Sequence, residues 1–479
     1  MLGKTVKNYI YNLLYQMLVL LVPIILSPYL ARVLGADNLG IYSYVYSCVS
    51  LLSTVVLLGT YSYGSRQIAY SRDSIAVTNV VFWNVFVIRL VLGVVGIAVF
   101  FIIAITSDYF VYFILYSPWL IASIIDTSWL FIGMEDMRPT VLKNTFIKIA
   151  SVLLIFIFVK KFSDLWKYVL IMAGSTLLAN SILLLQCRKY VVKCNLCVKE
   201  WKKILKDSIM LFLPQVAVLL YLQVDKIMLR ELTSSASQVA FYDQAEKIVT
   251  IPLTFITILS TVIMPKIANS YANDNKNDIN RLIINVAQYS LFAAVPMMFG
   301  LIGIANGMIP WYLGVEFVPV AGAIMILSPT VILNSLIGIS GNQYFTATNQ
   351  LKVLLVSNII ASVANITLNA VLIPNLQYAG AAIATVASSV ISVFAQYSVL
   401  RKQINIKPIV IYLIKYLLLS IPMFIIVAIL GKNMVVSPAT TLIQIFVGCI
   451  IYVFSCAIIK DNILLSIVRI ALGVIRREK

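Results

Sequence analysis

The 479-residue chain contains no histidine. That removes His-ligated zinc, histidine general bases and every Ser-His or Cys-His nucleophile pair. Charge is also scarce, at 11% of residues against about 25% in an ordinary soluble domain. Cysteine is limited to six residues: Cys48, Cys449 and Cys456 fall in apolar runs, and Cys187, Cys194 and Cys197 fall in or beside a Lys-rich connection. The single C-x-x-C has no second pair, so these thiols read as incidental, not as a metal knuckle. Gly3-Lys4-Thr5 imitates the end of a P-loop but lacks the upstream glycine and strand, so no nucleotide site is read there. No metal and no cofactor are expected.

What is present is apolar. Hydrophobic residues make up 61% of the chain, far more than a soluble core of this length could hide, whereas a bilayer absorbs such content in spans of about 20 residues. The fold class expected is an all-α polytopic membrane protein. Lys and Arg number 36 against 18 Asp and Glu, a net charge of +18. In a membrane chain such an excess belongs to cytoplasmic loops, so nucleic acid is excluded as a partner and membrane lipids are included. Lys4 and Lys7 precede an apolar stretch that continues to about Leu34 without a small-residue cleavage site, which reads as a retained span and not a signal peptide.

Fourteen windows are long enough to cross: 10–34, 39–62, 79–105, 110–133, 142–160, 165–187, 208–231, 239–264, 283–309, 317–340, 351–373, 378–399, 408–430 and 438–459. With the N-terminus inside, and residues at span ends counted with the adjoining connection, 25 Lys and Arg fall inside, 6 outside and 5 within spans. The asymmetry places both termini in the cytoplasm. The expected organisation is a six-helix lobe at 1–187, a basic cytoplasmic linker at 188–207 and a second six-helix lobe at 208–399. Helices 13 and 14 are appended at 400–459, and a cytoplasmic amphipathic tail follows at 460–479, with Arg476, Arg477 and Lys479 among the headgroups.

The two halves are weakly self-similar around their first hairpins, as in transporters built by duplication. Setting Tyr42 on Tyr242 aligns Ser43 with Asp243, Tyr46 with Glu246, Ser47 with Lys247, Ser50 with Thr250 and Thr54 with Thr254. At 100° per residue, Asp243, Glu246, Lys247, Thr250, Thr254, Thr257 and Thr261 lie within about 60° of one line, a polar stripe along span eight. Ser43, Tyr46, Ser47, Ser50, Thr54 and Tyr61 form a similar stripe on span two. Hydroxyls alone are equally explained by helix packing; three ionisable groups on one stripe point instead to a hydrated cavity.

The other intramembrane charges are Arg89, Asp126, Lys148, Asp225, Lys226 and Lys415, with Arg32 and Arg230 near outer ends. Lys148 and Lys415 are close enough to the inner interface to snorkel. Arg89 sits near the middle of span three, where an arginine costs about 2.5 to 3.5 kcal/mol on an insertion scale and must face protein or water. It reads either as a ligand for an anionic cargo or as the ion-pair partner of Asp126. Asp225 and Lys226 are adjacent and can neutralise each other. A cavity of hydroxyls, amides, aromatics and scattered cations suits a cargo that is polyhydroxylated and anionic, such as a sugar phosphate.

These residues carry a resemblance. Leu30-Ala31-Arg32-Val33-Leu34-Gly35 with Leu39-Gly40-Ile41-Tyr42, the Trp129-x-x-x-Gly133-Met134-Glu135 stretch, and Gln223-Val224-Asp225-Lys226-Ile227-Met228-Leu229 resemble bacterial polysaccharide-unit flippases of the Wzx type. Those belong to the multidrug/oligosaccharidyl-lipid/polysaccharide exporter superfamily. The resemblance implies two six-helix lobes around a central cavity, two appended helices, and alternating access. The implied cargo is an undecaprenyl-pyrophosphate-linked oligosaccharide turned from the cytoplasmic to the outer leaflet of the bacterial inner membrane. It also implies coupling to an H+ or Na+ gradient, contact with other polysaccharide assembly proteins, and no catalysis.

On that reading the cavity residues are Arg32, Arg89, Lys226, Arg230, Lys247, Thr250, Thr254, Ser47 and Ser50, and the ion-coupling candidates are Asp126, Asp225, Asp243 and Glu246. The acids keep a second reading open, a cation-coupled drug or organic-cation antiporter of the same superfamily. A membrane glycosyltransferase or polysaccharide polymerase is a third, although such enzymes need a large outer loop or an interfacial acidic motif that this chain does not display.

Overall fold

A computed structural model describes residues 2–136, 138–192, 198–261, 263–273, 275–466 and 469, with the side chains at 2–20, 214–218, 220–222 and 257–261 outside the described set. The regular structure among these residues is helical. It runs α1 (Leu2–Leu57), α2 (Thr60–Ser71), α3 (Ile75–Thr106), α4 (Phe110–Ile124), α5 (Ser128–Gly133), α6 (Arg138–Phe158), α7 (Leu165–Gln186), α8 (Trp201–Thr233) and α9 (Ala236–Thr261). It continues as α10 (Met264–Ala272), α11 (Lys276–Tyr312), α12 (Pro319–Leu327), α13 (Thr330–Gly338), a π-helical turn at Ile339–Phe345, α14 (Leu351–Leu376), α15 (Tyr378–Leu400), α16 (Lys407–Asn433) and α17 (Pro438–Ile458).

Eleven of the described helical stretches are long and apolar enough to cross a bilayer. The protein is an all-α multi-pass membrane protein, as its composition requires. The difference from fourteen windows has plain sources. α1 carries the first two windows as one helical run, and windows seven and eight lie on α8 and α9, whose side chains are only partly described.

The two crossings within α1 are separated at Gly35, whose φ of 75° and ψ of 175° interrupt the helix in a region that a β-carbon disfavours. One carbonyl beside the break, Leu34 O, is taken by a side chain. Asn38 Nδ2 donates to Leu34 O at 3.1 Å and to Phe162 O at 2.8 Å, tying the break to the turn that precedes α7. A second break at Gly59 (φ 71°) separates α1 from α2, and a third, at residues 125–127, separates α4 from α5.

The chain forms two compact units, Met1–Ala240 and Phe241–Lys479. The sequence places its division at 188–207; the packing places α8 with the first unit, because it lies against α1 and α2. At the end of this unit that adjoins the linker, Trp129, Phe82, Phe86 and Ile68 form the buried core with Leu183 and Ile204. Gly40 meets the start of α9 so closely that a β-carbon there would sit 1.8 Å from Ala236 O.

In the second unit α11 packs on α16, and α14 packs on α15. Lys415 does not reach outward to headgroups as its position in the sequence led us to expect. Its Nζ pairs with the buried Asp461 carboxylate at 2.5 Å, and Asp461 Oδ1 accepts from the Ile463 and Leu464 amides, capping the helix that starts the tail. The tail beyond Ser466, apart from residue 469, lies outside the described residues, as do Cys194 and Cys197 of the linker.

Candidate functional site

In the first unit, Ser43, Ser47 and Ser50 of the span-two stripe are buried within α1, Tyr46 and Thr54 are half-buried, and Tyr61 lies past the Gly59 break on α2. Thr54 Oγ1 and Ser53 Oγ both donate to Ser50 O, so those hydroxyls are satisfied by their own helix. Ser47 Oγ is buried without a hydrogen-bond partner. Around the stripe stands an aromatic group. The Tyr42 and Tyr168 ring centroids are 4.5 Å apart, and Tyr46 lies edge-on to Tyr116 at 6.3 Å and to Trp119 at 5.9 Å.

Arg89 is 1% exposed, and each of its three guanidinium nitrogens donates to a backbone or hydroxyl oxygen. Nη2 donates to Ser123 O at 2.6 Å, Nε to Ile124 O at 3.3 Å and Nη1 to Thr60 Oγ1 at 3.2 Å. The first two acceptors are carbonyls at the C-terminal end of α4, which an ended helix leaves without amide partners. A cation at that end also suits the helix dipole. Arg89 thus fastens the α4–α5 break to the α1–α2 break.

Asp126 turns elsewhere. Its Oδ1 accepts from Ser128 N at 3.0 Å and its Oδ2 from Ser128 Oγ at 2.9 Å, and Trp129 Nε1 donates to Asp126 O at 3.0 Å. Ser128 Oγ also reaches Tyr61 OH at 3.4 Å. The acid therefore starts α5 where Arg89 ends α4, and the break has a separate satisfied charge on each side.

At the far end of α8, Arg230 Nε donates to Tyr109 OH at 2.9 Å, its Nη2 pairs with Asp108 Oδ2 at 3.1 Å, and the guanidinium lies 5.0 Å from the Tyr109 ring centroid. Tyr44 OH donates to Glu231 Oε1 at 2.5 Å beside it. These residues border a small cavity of about 170 Å³. Asp225 and Lys226, a turn or more deeper on α8, are both buried and both partnered, and Arg32 on α1 is exposed.

In the second unit the span-eight stripe grades from buried to open. Asp243 is buried and pairs with Lys247 at 2.6 Å, while the Lys247 side chain is 39% exposed. Glu246 is half-buried, Thr250 is exposed and Thr254 is half-buried. Thr250 Oγ1 donates to Lys247 O and Thr254 Oγ1 to Thr250 O. Thr257 and Thr261 fall among the side chains outside the described set. The tyrosines paired by the internal alignment also behave alike. Tyr42 reaches α7, the sixth span of the first half, and Tyr242 OH lies 2.8 Å from Thr385 Oγ1 on α15, the sixth span of the second.

Two features of this unit were not read from the sequence. Ser340 Oγ in the π-helical turn donates to Gln396 Oε1 at 2.6 Å, with Gln244, Gln343 and Asn365 also buried and each holding an unpartnered polar atom. The available signal was the amide residues in otherwise apolar windows. An apolar groove of about 410 Å³ is bordered by Pro252, Phe292, Pro296, Met423, Gly448 and Tyr452, where α11 meets α16 and α17.

Residues 5–271 match the profile of the family described as Polysaccharide biosynthesis protein. The chain belongs to the polysaccharide biosynthesis protein family. Residues 139–454 of this polysaccharide biosynthesis protein also match the profile described as Lipid II flippase MurJ. Among curated relatives, a candidate O-antigen transporter of Escherichia coli (strain K12) is 24% identical over 354 residues, which is 72% of this chain and 84% of the relative. In fold, the protein is similar to the inward closed conformation of the lipid II flippase MurJ, with a TM-score of 0.71 and 16% identity over 96% of this chain and all of that one. It is also similar to an inward-facing multidrug resistance MATE family transporter of the MOP superfamily, with a TM-score of 0.65 and 16% identity over 81% of this chain and 94% of that one. The family matches bear out the sequence resemblance to Wzx-type flippases.

Proposed function

We propose that this polysaccharide biosynthesis protein is a flippase that turns undecaprenyl-pyrophosphate-linked oligosaccharide units from the cytoplasmic to the outer leaflet of the bacterial inner membrane. It does so by alternating access, drawing on an H+ or Na+ gradient, and is not a catalyst. The family match over residues 5–271 carries the reading. The chemistry of the units supports it. A glycan hydroxyl left unsatisfied in hydrocarbon costs roughly 4 to 8 kcal/mol, so the cargo head needs polar walls, and each unit contains a stripe of hydroxyls. The first unit adds Tyr46 and Trp119, whose faces suit sugar rings, and the groove of the second unit suits a prenyl chain.

Site roles follow from accessibility. Arg32 is the exposed cation of the first unit and Lys247, with its side chain 39% exposed, the open cation of the stripe on the second; each is proposed as a cargo contact of its own unit, Lys247 with Thr250 and Thr254 beside it. Ser47 and Ser50, with Lys226 and Arg230, remain cavity candidates on the first unit. Arg89, read from the sequence as a cavity residue, is proposed to act by positioning, since each of its guanidinium nitrogens donates to α4 or Thr60. Asp243 is held by Lys247, which favours a glycan cargo over a free organic cation. Asp126, Asp225 and Glu246 complete the coupling candidates, and the lobes of the transport cycle are taken as the sequence divides them, 1–187 and 208–399 with the appended helices at 400–459, α8 being the helix of the second that packs with the first unit in this structure.

The reading is tested by depleting the protein in its host and probing the leaflets. Lipid-linked oligosaccharide should accumulate on the cytoplasmic side and surface glycan should fall, with recovery on re-expression. Unchanged surface glycan, with acquired sensitivity to lipophilic cations, would instead assign the antiporter role.

A further inference from the structure

Outside the stripes, the first unit has a cavity of about 540 Å³ between α5, α6 and α7, at the end of the helices that meets the basic linker. Three cations border it, Arg138, Lys143 and Lys189, against one acid, Asp136. The acid is already engaged, accepting from Tyr190 OH at 2.5 Å. Burial, and then that carboxylate, push the Tyr190 phenol up to about 12, so it remains a donor at neutral pH.

Lys143 is 9% exposed, and its one acceptor among the described residues is the neutral Asn180 Oδ1 at 3.1 Å. Asn180 is itself fixed, donating to Ala122 O at 2.9 Å. An ammonium has three protons to give, and a buried cation beside a neutral amide is costly unless an anion approaches. Arg138 and Lys189 are exposed and have no acidic partner among the described residues.

The rest of the cavity is hydrocarbon. Leu142 and Phe146 border it and are 58% and 74% exposed. They begin a row that continues on one face of α6 through Ile149, Leu153 and Ile157, all exposed. That face is the lipid-facing side of a membrane helix. A site that is cationic at the helix ends and apolar along the helix matches a ligand with an anionic head and a hydrocarbon tail. Free phosphate would leave the α6 row unused.

We propose that this groove holds an anionic phospholipid of the surrounding leaflet, its phosphate headgroup on Lys143, Arg138 and Lys189 and its acyl chains along α6. Basic pockets between membrane helices are the usual setting for such headgroups.

The test uses the purified full chain in detergent, titrated with phosphatidylglycerol and followed by thermal unfolding and by native mass spectrometry. Phosphatidylglycerol should bind and stabilise, and the Arg138→Gln/Lys189→Gln protein should bind it about 25-fold more weakly, since each removed cation is worth roughly fivefold. Both positions are exposed, so the double variant keeps its packing. Phosphatidylcholine and millimolar inorganic phosphate should not reproduce the effect. Equal affinity of the double variant for phosphatidylglycerol, equal response to phosphatidylcholine, or full stabilisation by inorganic phosphate would each overturn the proposal. Glycan transport is not needed for the readout, so its outcome is independent of the function proposed above.

Discussion

The Arg89 guanidinium donates to Ser123 O at 2.6 Å, so a cation in the middle of one membrane helix closes the end of another. Charged hydrogen bonds of this kind are worth about 1.5 to 3 kcal/mol each. Arg89→Ala should therefore lower the thermal stability and membrane abundance of the protein sharply, and Arg89→Lys should do so less. Removing Asp126 as well should not restore either quantity, because the Asp126 oxygens are bound by Ser128. Recovery in Arg89→Ala/Asp126→Asn, measured by melting in detergent, would instead reveal a dominant direct charge pair.

Gly40→Ala should fail to accumulate as folded protein. Its β-carbon would meet backbone, Ala236 O at 1.8 Å, and neither helix has a side chain that can move aside. Gly174→Ala in α7 is the matched control, with nothing within 4 Å of the added carbon, and should match or slightly exceed the parent, by up to about 1 kcal/mol. Size-exclusion profiles of both variants make the comparison.

Asp243 and Lys247 should behave as a couple. Neutralising Asp243 alone leaves a cation without its acid, neutralising Lys247 alone leaves a buried carboxylate, and the second loss should be larger because Asp243 is the more buried partner. Asp243→Asn/Lys247→Gln should recover abundance while surface glycan stays low, if Lys247 meets the cargo. Full glycan display by the double variant would remove the pair from the transport site.

Cysteine reactivity should follow the grading of the α9 stripe. Thr250→Cys, at an exposed position, should react with a hydrophilic thiol reagent, and Ile256→Cys, 1% exposed, should not. Reaction of Thr250→Cys with lipophilic maleimide alone would place that face against lipid and not water. In intact cells the same hydrophilic reagent should miss Cys194 and Cys197 and label them after permeabilisation, because the proposed orientation puts the linker in the cytoplasm.

Hydropathy made the crossings legible, since lipid exposure is written in composition. It also marked which charges were unusual. It did not give their destinations. The α4–α5 break runs through Ser123-Ile124-Ile125-Asp126-Thr127-Ser128, with neither glycine nor proline to announce it, so window 110–133 read as continuous and the open carbonyls that claim Arg89 were invisible. Lys415 failed for a related reason: its partner Asp461 is 46 residues away, beyond the C-terminal end of α17. The polar stripe on α9 was readable because helical spacing alone sets a face, whereas the burial gradient along it depends on neighbours from distant parts of the chain.

The allegiance of α8 has a consequence for genetic dissection. It follows the basic linker in sequence but packs on α1 and α2, and the boundary between the compact units falls inside α9 instead of at a loop. A gene split in the linker would thus yield a C-terminal polypeptide that still owns a helix belonging to its sibling. Co-expressed fragments would carry their own splint, and the most natural-looking cleavage point in the sequence is the one from which the two pieces are best equipped to reassemble.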